Sequence, residues 1–359
     1  MKILFDYKIF YQQRYGGISN YFYNIAKELI KLDQDILFST PIHKNEYISQ
    51  LSKDFTSGIK LKFIPHTFNV FFEHLNHYFT QKKINKFHPD IIHESYYSSK
   101  NFVNKKSICT VYDMINEKFP KYFSNSKEIS NMKKKTLHRA EHILCISENT
   151  KNDLINYFNV DKNKITVTLL ATNYKETNNL EKIFKDKLLF VGSRRGYKNF
   201  EGLVKAYSLS NLLKDNFQII AYGGEKFSLY DKKILEKNGL TNKNVKFVDD
   251  KDYTAHDLYS NVAAFVFPSF YEGFGLPVLE AMKCGCPIIL SNGGSLKEVG
   301  GEDLEYFDPK NIDNMKDQIE KMLISESLQK KTIEYGYLRS KRFSWETCAK
   351  KTLEVYKKI

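Results

Sequence analysis

From end to end the chain alternates short apolar runs with stripes of apolar residues at helical spacing, and that alternation leaves few folds open. Short buried strands separated by helices read as parallel sheets covered on both faces, so the class is α/β. Residues 2–5 read as a first strand. After the loop 12–17, the positions Ile18, Tyr21, Phe22, Ile25, Ala26, Leu29 and Ile30 keep the period of a helix. Further strands are expected at 35–39, 60–64, 90–93, 107–111, 142–146 and 164–169, making one doubly wound domain over residues 1–172. The polar stretch 171–185 reads as a linker. A second doubly wound domain, 180–343, has expected strands at 187–191, 217–222, 245–248, 263–267, 287–290 and 305–307. The closing segment 344–359 carries a helical stripe through Trp345, Ala349, Leu353 and Tyr356 and is expected to pack back on the first domain. Two such halves facing across a cleft bind ligands beyond the carboxyl ends of their strands.

At 359 residues with 42% apolar side chains, the chain is too long for one ordinary core and too apolar for disorder. Its longest purely apolar run, Val262 to Phe267, is far short of the roughly 20 residues of a membrane span, and its first residues lack the pattern of a signal peptide. The five cysteines, 109, 145, 284, 286 and 348, are an odd count inside apolar segments, as expected of thiols in a reducing compartment. A soluble cytoplasmic protein is the expectation. The net charge of +13 is uneven: residues 1–172 hold 25 of the 55 basic side chains and 16 of the 42 acidic ones. The excess favours an anionic partner. No zinc-finger spacing, RNA-binding motif or long basic helix is present, which argues against nucleic acid.

The most informative stretch runs from Pro268 to Pro287. An apolar strand ends, Gly273 and Gly275 open a loop around Phe274, Leu276-Pro277 starts a helix and Gly285 stops it. The unpaired N–H groups of that helix start suit an anion. Glu280 lies about one turn in, and side chains lean toward a helix N-terminus, so its carboxylate can return to the mouth that Glu272 approaches from the loop. Two carboxylates beside an anion site make sense when the ligand also carries many hydroxyls. After the first strand of the second domain comes Val191-Gly192-Ser193-Arg194-Arg195-Gly196-Tyr197-Lys198-Asn199, whose cations are well placed for a diphosphate. In the first domain, Gly16-Gly17 lets backbone approach a ligand closely.

Glu272 and Glu280, with seven residues between them inside Glu-Gly-Phe-Gly-Leu-Pro-x-Leu-Glu-Ala-Met-x-x-Gly-x-Pro, resemble the paired-glutamate motif of the retaining GT-B glycosyltransferases of family GT4. The resemblance extends to Tyr15-Gly16-Gly17-Ile18-Ser19, Val191 to Arg194 with Lys198-Asn199, Gly293 to Val299 and Phe343 to Glu346, nearly the whole chain. It implies a metal-independent transfer of a sugar from a nucleotide-diphosphate donor on the second domain to an acceptor hydroxyl on the first. Within it, Arg194 and Lys198 contact the diphosphate with N–H groups near Gly275 and Leu276, and Arg195 is the less favoured neighbour. Glu280 accepts from ribose hydroxyls and Glu272 from the sugar. Gly16, Gly17, Gly273 and Phe274 complete the donor site. Thr110-Val111-Tyr112-Asp113-Met114 is similar to the family's Thr-Val-His-Asp, with Tyr112 in place of the histidine and Asp113 as candidate catalytic group. His93 and Tyr96, at a strand end, are candidate acceptor contacts. After Val167 the family's usual turn is replaced by Thr168 to Asn173, which bears on the hinge.

Neither a cofactor nor a metal is expected. Asp250-Lys251-Asp252 fits an Asp-x-Asp string but reads as a solvated helix start, and Cys284-x-Cys286 lacks companions for zinc. The aromatic segment Phe68 to Phe79, followed by Lys82-Lys83, reads as core packing with solvated lysines, as an acceptor groove, or as a contact with an anionic membrane; Lys133 to Lys135 and Arg139 add charge to that half. The expected partners are a nucleotide sugar and a glycan or lipid-linked acceptor in surface polysaccharide or lipopolysaccharide synthesis. A nucleotide-sugar epimerase and a non-catalytic nucleotide-sugar-binding protein stand as alternatives.

Overall fold

The computed structural model describes residues 1–103, 105–177 and 182–359. Of the linker read at 171–185, residues 178–181 lie outside that description. By packing, the chain divides into two units: Met1–Glu117 with Asn125–Leu170 and Ser344–Ile359, and Lys118–Ser124 with Ala171–Phe343. The unbroken span 1–172 expected for the first domain is thus interrupted at 118–124.

The first unit is built on a seven-stranded sheet of β1 (Lys2–Phe5), β2 (Asp35–His43), β3 (Thr56–Lys60), β4 (Ile91–Glu94), β5 (Ser107–Val111), β6 (His142–Cys145) and β7 (Ile165–Val167). The strands lie in the order β3-β2-β1-β4-β5-β6-β7, with parallel neighbours throughout. The helix Gly17–Lys31 follows the expected stripe and buries Tyr21, Phe22, Ile25, Ala26 and Leu29. The closing helix Trp345–Lys358 is capped by Ser344, whose side chain accepts from the Thr347 N–H. It packs on that stripe, with the Trp345 and Tyr21 rings 6.3 Å apart.

One strand differs from its expected place. The apolar run 60–64 lies almost wholly beyond β3, which uses the polar Thr56–Lys60 instead. β3 is an edge strand with an exposed outer half, so backbone fit rather than apolar pattern sets its register against Phe38–His43. Gly58 is required there: its φ is +140°, and a Cβ would stand 1.8 Å from the Thr40 carbonyl oxygen.

The second unit has a six-stranded sheet of β8 (Phe184–Val191), β9 (Gln218–Tyr222), β10 (Val245–Val248), β11 (Val262–Phe267), β12 (Ile288–Ser291) and β13 (Tyr306–Phe307). Its order is β10-β9-β8-β11-β12-β13, again with parallel neighbours. Leu188, Phe190, Val266 and Ile289 from the strands meet Phe200, Leu203 and Val204 of the helix Phe200–Ser208 in its core. Burying each such side chain stabilises the fold by about 2 kcal/mol. In each sheet the strand order reverses once, between β1 and β4 and between β8 and β11, and such reversals open a crevice at the strands' carboxyl ends.

Candidate functional site

The crevice of the second unit is shaped by the loops that leave β8 and β11. After β8 the chain turns at Gly192 (φ +128°), and the Lys198 stem lies 3.5 Å from where a Cβ there would be. After β11, Gly275 takes φ +109° as N-cap of the helix Leu276–Lys283, with Pro277 in its first turn. A Cβ on Gly275 would come within 2.9 Å of Leu296 Cδ2, so glycine is needed on two counts. These turns bring together two side chains 74 residues apart: Lys198 Nζ donates to Glu272 Oε1 at 2.7 Å. The ammonium also sits 4.9 Å from the centre of the Phe267 ring. Glu272 is 8% exposed, which leaves this pair at the crevice mouth with little water around it.

Ser295 holds the loop that carries Glu272. Its N–H and hydroxyl approach the Glu272 carbonyl at 3.1 and 3.0 Å, and its hydroxyl lies 2.7 Å from the Phe274 carbonyl. Gly294 lies so close that a Cβ would be 2.5 Å from the Glu272 oxygen. Sequence reasoning carried this Gly-Gly-Ser run only within the family resemblance; its readable signal is two glycines and a small hydroxyl residue directly after a strand. The Phe274 side chain is buried against Phe343 with ring centres 5.8 Å apart, so any ligand would meet its backbone. Glu280 is partly buried in the helix, and burial pushes its carboxyl up to about 7, with the Tyr259 hydroxyl opposing. In its first turn the Val278 and Leu279 N–H groups lie 2.9 and 3.4 Å from the Gly275 carbonyl and Pro277 carries no N–H, so the donors at the helix start are those of Gly275 and Leu276.

Arg194 requires a correction. The expected diphosphate contact is turned inward with its side chain 4% exposed. Nη1 donates to the Gly223 carbonyl at 3.0 Å and Nη2 to that of Glu225, while Nε lies 3.7 Å from the Asp231 carboxylate. The guanidinium is 5.1 Å from the rings of both Phe227 and Phe247, and burial lowers its pKa against the pull of Asp231. Its flat fork is occupied by loop carbonyls, and Arg195 is the exposed member of the pair.

In the first unit the candidate acceptor contact His93 is fully buried. Its Nδ1 lies 2.6 Å from the Tyr356 hydroxyl and its Nε2 2.8 Å from Thr110 Oγ1, and burial pulls it down to about 3. A neutral ring with both nitrogens engaged joins β4, β5 and the closing helix; it does not face a ligand. Tyr96 is partly buried and stacks near Tyr97 and Tyr112, at 4.6 and 6.5 Å. Tyr112, in the family's histidine position, is buried and donates to the Ser95 carbonyl at 3.1 Å. Asp113 is half-buried and accepts from the Ile115 N–H at 3.1 Å. Gly16 precedes the helix Gly17–Lys31 beneath the Gln13 amide, whose oxygen accepts from the Ser19 N–H at 3.3 Å.

Lys133 and Arg139 are not solvated charges. Lys133, with its side chain at 0% exposure, donates to Glu117 at 2.7 Å and to the Asp113 carbonyl at 3.0 Å. Arg139 forks onto the buried Glu94. The signal for Lys133 was present: it falls one turn from Ile129 and Leu137 on the apolar face of its helix. Asp250 accepts from the Tyr222 hydroxyl at 2.5 Å, and all five cysteines are buried thiols. Among the described residues no group of three or more His, Cys, Asp or Glu is placed to hold a metal ion, and no helix is long and apolar enough to cross a membrane.

Two parallel-sheet Rossmann-like units of this topology make the GT-B fold. The family described as glycosyl transferases group 1 matches residues 175–339, and glycosyltransferase family 4 matches 15–169. The O-antigen chain mannosyltransferase B of Escherichia coli is 30% identical over 272 residues, 70% of either chain. Sucrose-phosphate synthase from Thermosynechococcus elongatus superposes with a TM-score of 0.78 at 20% identity, covering 99% of this chain and 98% of that one. The Anabaena protein HepE, solved in complex with UDP and glucose, gives 0.72 at 16% identity, covering both chains completely (100%). The chain belongs to the group 1 glycosyltransferases and is an enzyme of that class.

Proposed function

We propose that this enzyme is a retaining mannosyltransferase that carries its sugar from a nucleotide-diphosphate donor to a hydroxyl of a growing, lipid-linked surface glycan. The observation that carries the proposal is the Lys198–Glu272 pair at the mouth of the second unit's crevice. With donor present the pair would divide its work: Lys198 takes the diphosphate, Glu272 accepts from sugar hydroxyls, and Glu280 accepts from the ribose. Negative charge grows on the leaving diphosphate as the sugar bond breaks. A fixed ammonium and helix-start N–H groups at Gly275 and Leu276 stabilise that state more than the ground state. They supply the positive charge that a divalent ion supplies elsewhere, so no metal is required in this reading. The diphosphate takes the proton of the attacking hydroxyl. The acceptor is assigned to the first unit, with Asp113 as its polar element, and a lipid-linked acceptor would bring the enzyme to the inner face of an anionic membrane. The E. coli relative supports mannose and an O-antigen-like product, and the HepE complexes support a nucleotide-sugar donor.

Calorimetry of GDP-, UDP-, ADP- and dTDP-sugars with EDTA present, followed by product analysis with and without a mannan acceptor, tests it. Transfer that requires acceptor and survives EDTA is expected. A changed sugar released without acceptor would make the protein an epimerase, binding without turnover would make it a sensor, and turnover abolished by EDTA would overturn the metal-free assignment.

A further inference from the structure

The helix Asn69–Phe87 of the first unit is built inside out. The residues it buries are Asn76, Thr80 and Ile84, two of them polar. Asn76 is bonded to both backbone groups of Ile42, at 2.7 and 3.1 Å, and Thr80 to Ser39 at 2.9 Å. Phe72 and Phe87 pack against the core, while the other aromatics face outward: Phe71, Tyr78 and Phe79 fall on one stripe with Lys82 and Lys86, by their spacing of three, four and seven. With Ile59, Phe63 and Val70 nearby in sequence, these apolar side chains are 46–71% exposed. Between the helix and the β2–β3 edge runs a groove of about 550 Å³, lined by Pro41, Ile42, Ile59 and Phe79 and edged by Lys82, Lys83 and Lys86.

Such a concentration of exposed aromatics on a helix whose inner face is already satisfied marks an interaction surface. Charge selects the partner. Between Phe55 and Pro89 the sequence holds five lysines and one acidic residue, Glu73, which is turned to Lys8. Lysines whose stems lie along aromatic rings, as Lys82 does over Tyr78 at 4.6 Å, put an ammonium at headgroup level while the rings enter the acyl boundary. A protein partner would need a carboxylate face complementary to this stripe, whereas an anionic bilayer supplies it at any point. We infer that this face, the helix Asn69–Phe87 with the β3 edge, docks the enzyme on an anionic phospholipid membrane. The patch is the first unit's own and needs no donor; only its use, meeting a lipid-linked acceptor, rests on the mannosyltransferase reading.

Sedimentation of the full chain with vesicles of equimolar phosphatidylglycerol and phosphatidylcholine, against phosphatidylcholine alone, tests it without donor or acceptor. Binding to the anionic vesicles at low salt and none to the neutral ones is expected. Replacing the three groove lysines (Lys82→Glu, Lys83→Glu, Lys86→Glu) should weaken partition by about a hundredfold, each cation near such a surface contributing about fivefold. The pair Phe71→Ser and Tyr78→Ser should weaken it by about tenfold with the circular dichroism spectrum unchanged. Wild-type protein that ignores anionic vesicles overturns the inference, as does lysine-reversed protein that binds as before. Ultracentrifugation showing a dimer lost in the same variants would assign the face to a second copy of the chain instead. Because no sugar is transferred in this assay, its failure leaves the mannosyl assignment standing, and the converse holds.

Discussion

The two units share a sheet topology with one reversal each, yet their crevices have opposite character. In the second, residues following β8 and β11 meet as the Lys198–Glu272 pair at the crevice mouth, their side chains 15% and 11% exposed. In the first, residues following β1 and β4 meet as Asp6 and Ser95, and there the contact is sealed: Asp6 is 1% exposed and accepts from the Ser95 N–H at 2.8 Å and from its hydroxyl. Beside it His93 is closed between Thr110 and Tyr356. Topology therefore says where a crevice opens, and the local polar partners decide whether its side chains serve a ligand or the core.

The widest separation between the two crevices should appear on removing the second unit's pair. Lys198→Ala and Glu272→Ala are each expected to lower kcat by about a thousandfold, roughly 4 kcal/mol of transition-state stabilisation, with little change in unfolding midpoint. Near-wild-type turnover in both variants would sink the assignment. The mirror experiment is His93→Phe, which leaves the Thr110 and Tyr356 hydroxyls buried without their shared partner. A loss of about 3 kcal/mol in urea unfolding is expected, with kcat per folded molecule retained. The pH dependence has a definite sign. With its folded value near 3 and an ordinary value of 6.5, His93 binds a proton more readily in the unfolded chain. Wild-type stability from this group is full above pH 6.5 and is lost as pH falls toward 3, a component that the phenylalanine variant should lack.

Arg194 sharpens the comparison, since it lies in the open crevice's loop but behaves like a residue of the closed one. Arg194→Met should lower stability by about 2 kcal/mol by leaving the Gly223 and Glu225 carbonyls without their donor and the Asp231 carboxylate without its counter-charge, while the donor KM changes less than in Lys198→Ala. A raised donor KM with an unchanged unfolding midpoint would return Arg194 to the diphosphate.

Legibility in the sequence divides along the same line. Strand positions were legible because buried parallel strands are apolar along their whole length, and the one displaced strand, β3, is the exposed edge where that rule lapses. Glu272, Glu280 and Lys198 were legible as residues of a strand-end loop and helix start. The inward turn of Arg194 was not, because its partners are backbone carbonyls and a carboxylate some thirty residues on, which no local pattern encodes. His93 failed for a related reason: a strand-end histidine looks the same in sequence whether solvent or the closing helix covers it, and here Tyr356 comes from the far end of the chain.

Glu280 gives the smallest expected effect and the finest test of how open the second crevice is. Its folded value near 7 lies above the ordinary 4.5, so the fold favours the protonated acid. The stability this group contributes is full below pH 4.5 and is lost as pH rises through 7, where the carboxylate must be held in a partly buried site. Glu280→Gln keeps the shape without the charge. It should therefore match wild type at pH 4.5 and exceed it above pH 7 by at most about 2 kcal/mol, less as water reaches the site. If Glu280 also receives ribose hydroxyls, donor binding will favour the carboxylate and release a proton near pH 6.5, visible as a buffer-dependent calorimetric enthalpy that the glutamine variant lacks. A stability gain without that proton release would leave Glu280 as a buried acid of the helix and confine ligand recognition to Lys198, Glu272 and the loop between β11 and the helix.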